Sequence, residues 1–430
     1  MTSRTPRTPR TAARSLRALA VAAVTAALAA TPVLTAHAAS PAPAAAYKAT
    51  AADTRISAAL TARATTARFG TSFTGAVIDA ASGQVVWSRN GSTGLMPAST
   101  TKWVTATDAL AVFGGSHRFV TTVRRGPQAD QVILVGSGDP ALSSSQLASL
   151  AATTAVAMKG QKQLSVRLYA DDSLFPAPSL AVGWRPTYIP AETTWLRALV
   201  VDGKQSADTT MQTASVFAAK LKANGLTVTR IGRGMATSTN PLLASSAGQT
   251  VSQLVSTMMI GSDNEHAEAL HRLVSLRTGR GGTWSGARRA QATQLFKQGL
   301  SANALYDGSG LSRSDRLTSL QLARLVTNTF EPGNATSLAL LRSDAGLPIS
   351  GKTGTLQAAY GRFTTAASKC AVGKVHAKTG TLSDAVALAG WTVGTDGRVK
   401  AFAFVVNGKA ATLALKQSVD MLAATVVGCY

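Results

Sequence analysis

The end of the chain reads β-β-β-α: "KVHAKTGTL", "AVALAGWTV", the turn "GTDG", "VKAFAFVVNG", then the helical run "ATLALKQSVDMLAATVV". Consecutive strand runs joined by short turns form an antiparallel sheet. Near the other end, "TGAVIDAASGQVVWSRN" (74–90) is two apolar runs around a Ser-Gly turn, a hairpin that can join the same sheet. The chain between them must then leave and return. "TTKWVTATDALAVFG" (100–114) has helical periodicity, but from about 116 to 240 the texture changes. There, the strand-like runs "VILVGSGDP", "LSVRLYADD" and "LTVTRIG" alternate with turns, and one helix-like segment, "TMQTASVFAAKLKANG", precedes the last of them. From about 249 the pattern is helical again. These features predict an α+β fold. An antiparallel sheet covered by helices is built from 53–115 and 241–430, with a smaller α+β domain inserted at 116–240.

Within this frame "KTGTL" occurs twice, at 352–356 and 378–382. The second copy begins a strand with two following partners, so its backbone lies at a sheet edge and can receive an extended peptide. The first is followed by "QAAYGRFTTAASK", without alternation or a partner run, and reads as a loop. Only the second copy, Lys378, Thr379, Gly380 and Thr381, therefore suits substrate binding.

Ser99, in "MPASTTKW", is the one serine in the chain with a lysine, Lys102, three places on. At a helix start that spacing puts both side chains on one face, so a neutral amine can take the hydroxyl proton. Four positions fit a third element, S-x-N: Ser88, Ser238, Ser262 and Ser301. Ser262-Asp263-Asn264 is the one at a junction between two strong helices, where a short polar loop can project into a cleft. Its structural alternative is a helix cap.

Composition limits the setting. Arg4, Arg7, Arg10, Arg14 and Arg17 precede the short apolar core "ALAVAAVTAALAA", and "AHA" follows, so 1–39 reads as a secretory signal peptide and 40–52 as a flexible leader. The net charge is +23, which favours polyanions. In an exported protein these are anionic cell-envelope polymers rather than nucleic acid, for which no recognition motif is present. The only cysteines, Cys370 and Cys429, suit a disulfide in an oxidising compartment, with two unpaired thiols as the alternative. His266 and His271 lie five apart and do not share a helix face. No Cys/His spacing suits a metal, and no cofactor is expected.

"PASTTK", "GSDNEHAE" and "AKTGTL", in that order, resemble the three signature motifs of penicillin-recognising serine enzymes. With "LVGSGDPAL" (134–142) and "YDGSGLSR" (306–313), the chain resembles the class C low-molecular-mass penicillin-binding proteins, D-alanyl-D-alanine carboxypeptidases/endopeptidases, from about residue 55 to its end. The resemblance implies a penicillin-binding/β-lactamase-like transpeptidase domain acting on peptidoglycan stem peptides and covalently trapped by β-lactams. It implies that Ser99 attacks the carbonyl between two D-alanines and that Lys102 is the base. Ser262 would relay a proton to the leaving amine, and Asn264 would position the substrate amide. Lys378 would draw in the terminal carboxylate with Thr379 and Thr381, and the N–H groups of Ser99 and Thr381 would form an oxyanion hole. Trp184 falls in a segment that lines the side-chain pocket in relatives, although Thr187 stands where an acid is expected. Lys352 likewise stands where an aspartate is usual. Two rival readings are a β-lactamase or esterase on the same fold, and a non-catalytic envelope-binding protein.

Overall fold

The computed structural model describes residues 48–301 and 304–430. The expected signal peptide lies outside them, as does most of the expected leader. Helix α1 (Ala51–Arg63) begins before the expected leader end at 52. Thr50 caps it reciprocally with Asp53, a signal submerged in an Ala/Thr-rich stretch. Ala51 and Ala52 are therefore helical.

The hairpin β1 (Phe73–Asp79) and β2 (Val85–Arg89) leads through β3 (Gly94–Leu95) and a single helical turn, Ala98–Thr101, into α2 (Lys102–Phe113). The chain then builds a second sheet. Its elements are β4 (Arg118–Arg125), β5 (Gln131–Val135), α3 (Ser144–Gly160), β6 (Ser165–Asp171), the short α4 (Tyr188–Ala191), α5 (Thr209–Ala223), β7 (Thr227–Arg233) and β8 (Leu242–Thr250). It returns with α6 (Val251–Gly261), α7 (Asn264–Arg277), α8 (Trp284–Lys297), β9 (Leu317–Thr318) and α9 (Ser319–Asn328). The strands β10 (Val375–Leu382), β11 (Ala385–Val393) and β12 (Val399–Asn407) follow, and α10 (Leu413–Val427) ends the chain.

The first sheet has the order β10-β11-β12-β1-β2 and is antiparallel throughout, so the two ends of the chain do share it. Strand alternation gives it two buried faces. Ala76, Ile78, Ala387, Ala389, Ala401, Ala403 and Val405 join the core around α2, α6 and α7. Val77, Val386, Leu388, Phe402, Phe404 and Val406 pack against α1 and α10. The small residues on the first face let α2 lie close, and Trp103 donates to the Ala389 carbonyl at 2.9 Å.

The second sheet, β7-β6-β5-β4-β8, is parallel at β5–β6 and β6–β7 and antiparallel elsewhere. It differs from the sequence reading in three elements. Helix α3 is present because Ser143 and Gln146 form a reciprocal cap and Leu147, Leu150, Ala151 and Met158 are buried. Its Ala/Ser/Thr-rich sequence carries little periodic contrast. Strand β4 is also additional, and β8 carries the sheet to Thr250, past the boundary expected at 240. "LLASSAGQT" has too few β-branched residues to announce a strand. A disulfide joins Cys370 to Cys429 and so ties the segment before β10 to the end of α10.

One buried charge cluster fixes α1 to the sheet. Lys400 Nζ lies 2.5 Å from Asp53, 2.9 Å from Asp79 and 3.0 Å from Asp396, and Arg398 also pairs with Asp79. Burial alone would raise the carboxyls of Asp79 and Asp396, but hydrogen bonds from Lys400 and neighbouring groups hold both below the usual range. The same bonds outweigh burial at Lys400 and raise its pKa. The cluster's contribution is therefore full between roughly pH 4 and 10. It is lost on acidification as the carboxylates protonate and on the alkaline side as Lys400 deprotonates. Lys400→Met should cost about 3–5 kcal/mol by leaving buried carboxylates uncompensated, measured as a lowered urea midpoint at pH 7.

Candidate active site

Three parts of the chain converge on one cleft. The first is the Ala98–Thr101 turn, entered through Ala98 at φ 47°, a left-handed conformation that costs a non-glycine residue energy and sets Ser99 at the head of α2. The second is the corner between α6 and α7, where Ser262 is also left-handed at φ 63° and Asp263 caps α7. The third is β10, the edge strand of the first sheet.

Lys102 lies behind Ser99, fully buried. Its Nζ donates to Ser99 Oγ at 3.1 Å, to Asn264 Oδ1 at 2.7 Å and to the Ser309 carbonyl at 2.9 Å. Asn264 Nδ2 donates in turn to the Glu192 carbonyl at 2.9 Å. Lys378, also fully buried, donates to Ser262 Oγ at 2.7 Å and to the Thr379 carbonyl at 2.8 Å. The structure thus brings Ser99, Lys102, Ser262, Asn264 and Lys378 into two short hydrogen-bonded groups lining one opening.

Gly380 is what lets the strand and the Ser99 turn meet. A Cβ there would fall 2.7 Å from the Pro97 carbonyl and 3.2 Å from the Ala98 side chain. Gly310 plays the same part on the opposite side, where a Cβ would overlap the Ala98 carbonyl. The cleft has a volume of about 560 Å³, and Ser99, Ser262, Asn264, Thr379 and Thr381 contribute to its walls. On the open side of β10 the neighbouring segment pairs only as far as Ala377, which donates to the Pro348 carbonyl. Lys378 to Leu382 have no strand partner there among the described residues.

The electrostatics favour a proton acceptor next to Ser99. Burial lowers Lys102 to about 8, and the carboxylates of Glu268, Asp307, Asp263 and Glu192 keep it from falling further. Burial and the charge of Lys102 push Lys378 well below the usual lysine value. Beneath Lys102, burial and then Asp307 raise Glu268 to about 8. Glu268 accepts from the N–H groups of Gly308 and Ser309 and so aims the Ser309 carbonyl at Lys102.

Several of these partners were not singled out in the sequence: Glu192, Glu268, Ser309 and Thr355. Glu268 had a signal, since it lies four residues after Asn264 on the same helix face. Thr355 belongs to the first "KTGTL". Lys352 of that copy is exposed and the copy is a loop, yet its Thr355 reaches the cleft and bonds Thr379 hydroxyl to hydroxyl at 2.8 Å. Trp184 takes another place. It donates to Asp307 at 2.7 Å and meets Trp284 edge-on, and it is not among the residues lining the Ser99 cleft. Thr187 is exposed just before α4.

The sequence matches the profile of the D-Ala-D-Ala carboxypeptidase 3 (S13) family over residues 56–203 and 198–426. Carboxypeptidase DacB of Mycolicibacterium smegmatis is 31% identical over 383 residues, covering 83% of this chain and 80% of its own length. Among solved structures, penicillin binding protein 4 of Haemophilus influenzae has a TM-score of 0.70 at 20% identity, covering 81% of this chain and 95% of that one. The same protein complexed with a novel β-lactam gives 0.68 at 20% identity, with coverages of 86% and 99%. At that identity the structural likeness speaks to the fold.

Proposed function

The chain belongs to the D-Ala-D-Ala carboxypeptidase 3 (S13) family of serine peptidases, and from that premise we propose that it hydrolyses the terminal D-Ala-D-Ala bond of peptidoglycan stem peptides through an acyl-enzyme on Ser99. The observation that carries this reading is the Lys102 ammonium at 3.1 Å from Ser99 Oγ with a pKa drawn down to about 8. At pH 7 about one molecule in ten then holds a neutral amine. Lys102 takes the proton as Ser99 Oγ attacks the carbonyl. The N–H groups of Ser99 and Thr381 receive the oxyanion. Ser262, held by Lys378, relays that proton from Lys102 to the departing D-alanine amine. Asn264 aligns the peptide, which lies along the open edge of β10. The substrate carboxylate meets Lys378 and Thr379, and its negative charge restores the proton that burial removes from Lys378. Water completes the cycle by releasing the acyl group, whereas a β-lactam leaves it in place.

We place this activity outside the cytoplasmic membrane, where stem peptides are found, after export directed by the basic and apolar N-terminus. Without the five arginines of the expected signal peptide the net charge of +23 becomes about +18, which supports retention on anionic wall polymers.

Intact-mass analysis after incubation with a labelled penicillin, followed by peptide mapping, tests the reading. The expected result is one adduct on the peptide containing Ser99, persisting for many minutes and absent in Ser99→Ala. An adduct elsewhere would overturn the assignment, and rapid release of hydrolysed penicillin would identify a β-lactamase instead.

A further inference from the structure

A second cavity, of about 610 Å³, lies between α8 and the segment that ends at Tyr306, and it shares no described residue with the Ser99 cleft. Its walls are aromatic and cationic. Arg288 and Arg289 are exposed on α8, and the Arg288 guanidinium lies 4.2 Å from the centre of the Tyr306 ring. Trp284 forms a further, rigid part of the wall. Its indole N–H donates to the Ser179 carbonyl at 3.2 Å, and Arg272 stacks on its ring at 3.8 Å. Gln291 joins the lining although it is only 1% exposed. Its Nε2 faces the Asp307 carbonyl at 3.5 Å, and its Oε1 has no hydrogen-bond partner among the described residues.

The charge balance points to an anion. From Ala269 to Tyr306 the chain carries six cations, Arg272, Arg277, Arg280, Arg288, Arg289 and Lys297, and no acid. Among the described residues neither Arg288 nor Arg289 has an ion pair or a side-chain hydrogen bond. Each guanidinium is a planar fork of donors that matches the oxygens of a phosphate or carboxylate. The free Oε1 of Gln291 adds an acceptor suited to a hydroxyl group, and the two rings offer flat surface to the body that carries it. Exposed cations also flank the cavity. Helix α8 has 14 residues and is about 20 Å long, with Arg280 before its start and Lys297 as its last residue. Cations spread over that length suit a chain with a charge on each repeat rather than one small anion.

We infer that this cavity is a second binding site, for an anionic glycan: a phosphate- or carboxylate-bearing sugar polymer of the envelope in which an exported enzyme works. One charged repeat sits among Arg288, Arg289, Trp284 and Tyr306, and its neighbours follow the basic helix. A concave site with a buried acceptor fits a glycan better than the flat surface of an anionic bilayer. Attachment here leaves the Ser99 cleft open, and it does not depend on the reaction assigned to Ser99.

The test is the affinity of the full chain for poly(glycerol phosphate) and for polygalacturonate, read by calorimetry and tryptophan fluorescence. Neutral dextran and phosphatidylglycerol vesicles serve as comparisons. The wild type should bind at least one polyanion and not dextran, and the tighter polyanion identifies the charged group. Arg288→Glu combined with Arg289→Glu should weaken binding by about tenfold or more. Lys159→Glu combined with Lys204→Glu makes the same change in net charge at exposed positions elsewhere, and should weaken it by less than about twofold. Trp284→Phe should remove the fluorescence change. An unaltered melting temperature verifies that each variant is folded. Equal losses in the two charge-reversed pairs would overturn the site, as would a fluorescence change that survives Trp284→Phe. So would tighter binding to the vesicles than to either polymer, equal binding to dextran, or binding to neither polyanion.

Discussion

Lys102→Ala is expected to slow acylation of Ser99 by benzylpenicillin and by a D-Ala-D-Ala peptide about 10²–10⁴-fold, the range typical of losing a positioned general base. The two substrates should suffer together, because in the proposed mechanism proton removal from Ser99 precedes both reactions. The wild-type pH profile should carry the same signature. With Lys102 at about 8, the base form grows tenfold per pH unit below that value, so acylation should climb through neutrality and level off above about pH 8. Glu268→Gln removes the first-named of the carboxylates that hold Lys102 up, so the rise should move to lower pH. Stopped-flow acylation between pH 5 and 10 measures both effects. A flat profile would mean that Lys102 is not the base.

The second large effect separates the two "KTGTL" copies. In the proposed reaction Lys378→Ala deprives the substrate carboxylate of its buried partner, and it leaves Ser262 without its hydrogen bond. Truncating one member of a buried charge pair costs 2–5 kcal/mol, so kcat/KM on carboxylate-ended peptides should fall by about 30-fold or more. Lys352→Ala removes an exposed side chain on a loop and should leave turnover within about twofold. The same peptide-release assay on both variants decides the matter. Equal losses would mean that the first copy also holds the substrate.

The sequence carried the site further than it carried the fold. The convergence of Ser99, Lys102, Ser262, Asn264 and Lys378 was legible because the proposed chemistry ties them to short fixed spacings, and the strand runs after Lys374 showed which "KTGTL" lies on a sheet edge. The elements that were missed are those whose stability comes from tertiary burial. Helix α3 rests on a cap and on alanines packed against the second sheet, and β8 is held by its pairing with β4 rather than by β-forming residues. Glu268 went unread because its task, holding the Ser309 carbonyl on Lys102, involves a partner about forty residues away. Trp184 was assigned by likeness to a segment. Its indole instead serves Asp307, whose carboxylate organises the turn that ends in Ser312.

The missing side chain at Gly380 has a mechanical consequence. With the β10 backbone resting directly on Pro97 and Ala98, the ruler that would measure an incoming peptide and the blade that would cut it, on the proposed reading, are machined from one piece. A replacement as small as alanine must pry them apart, whatever its effect on overall stability. In the reaction proposed above, any shift of this strand would therefore also displace Ser99.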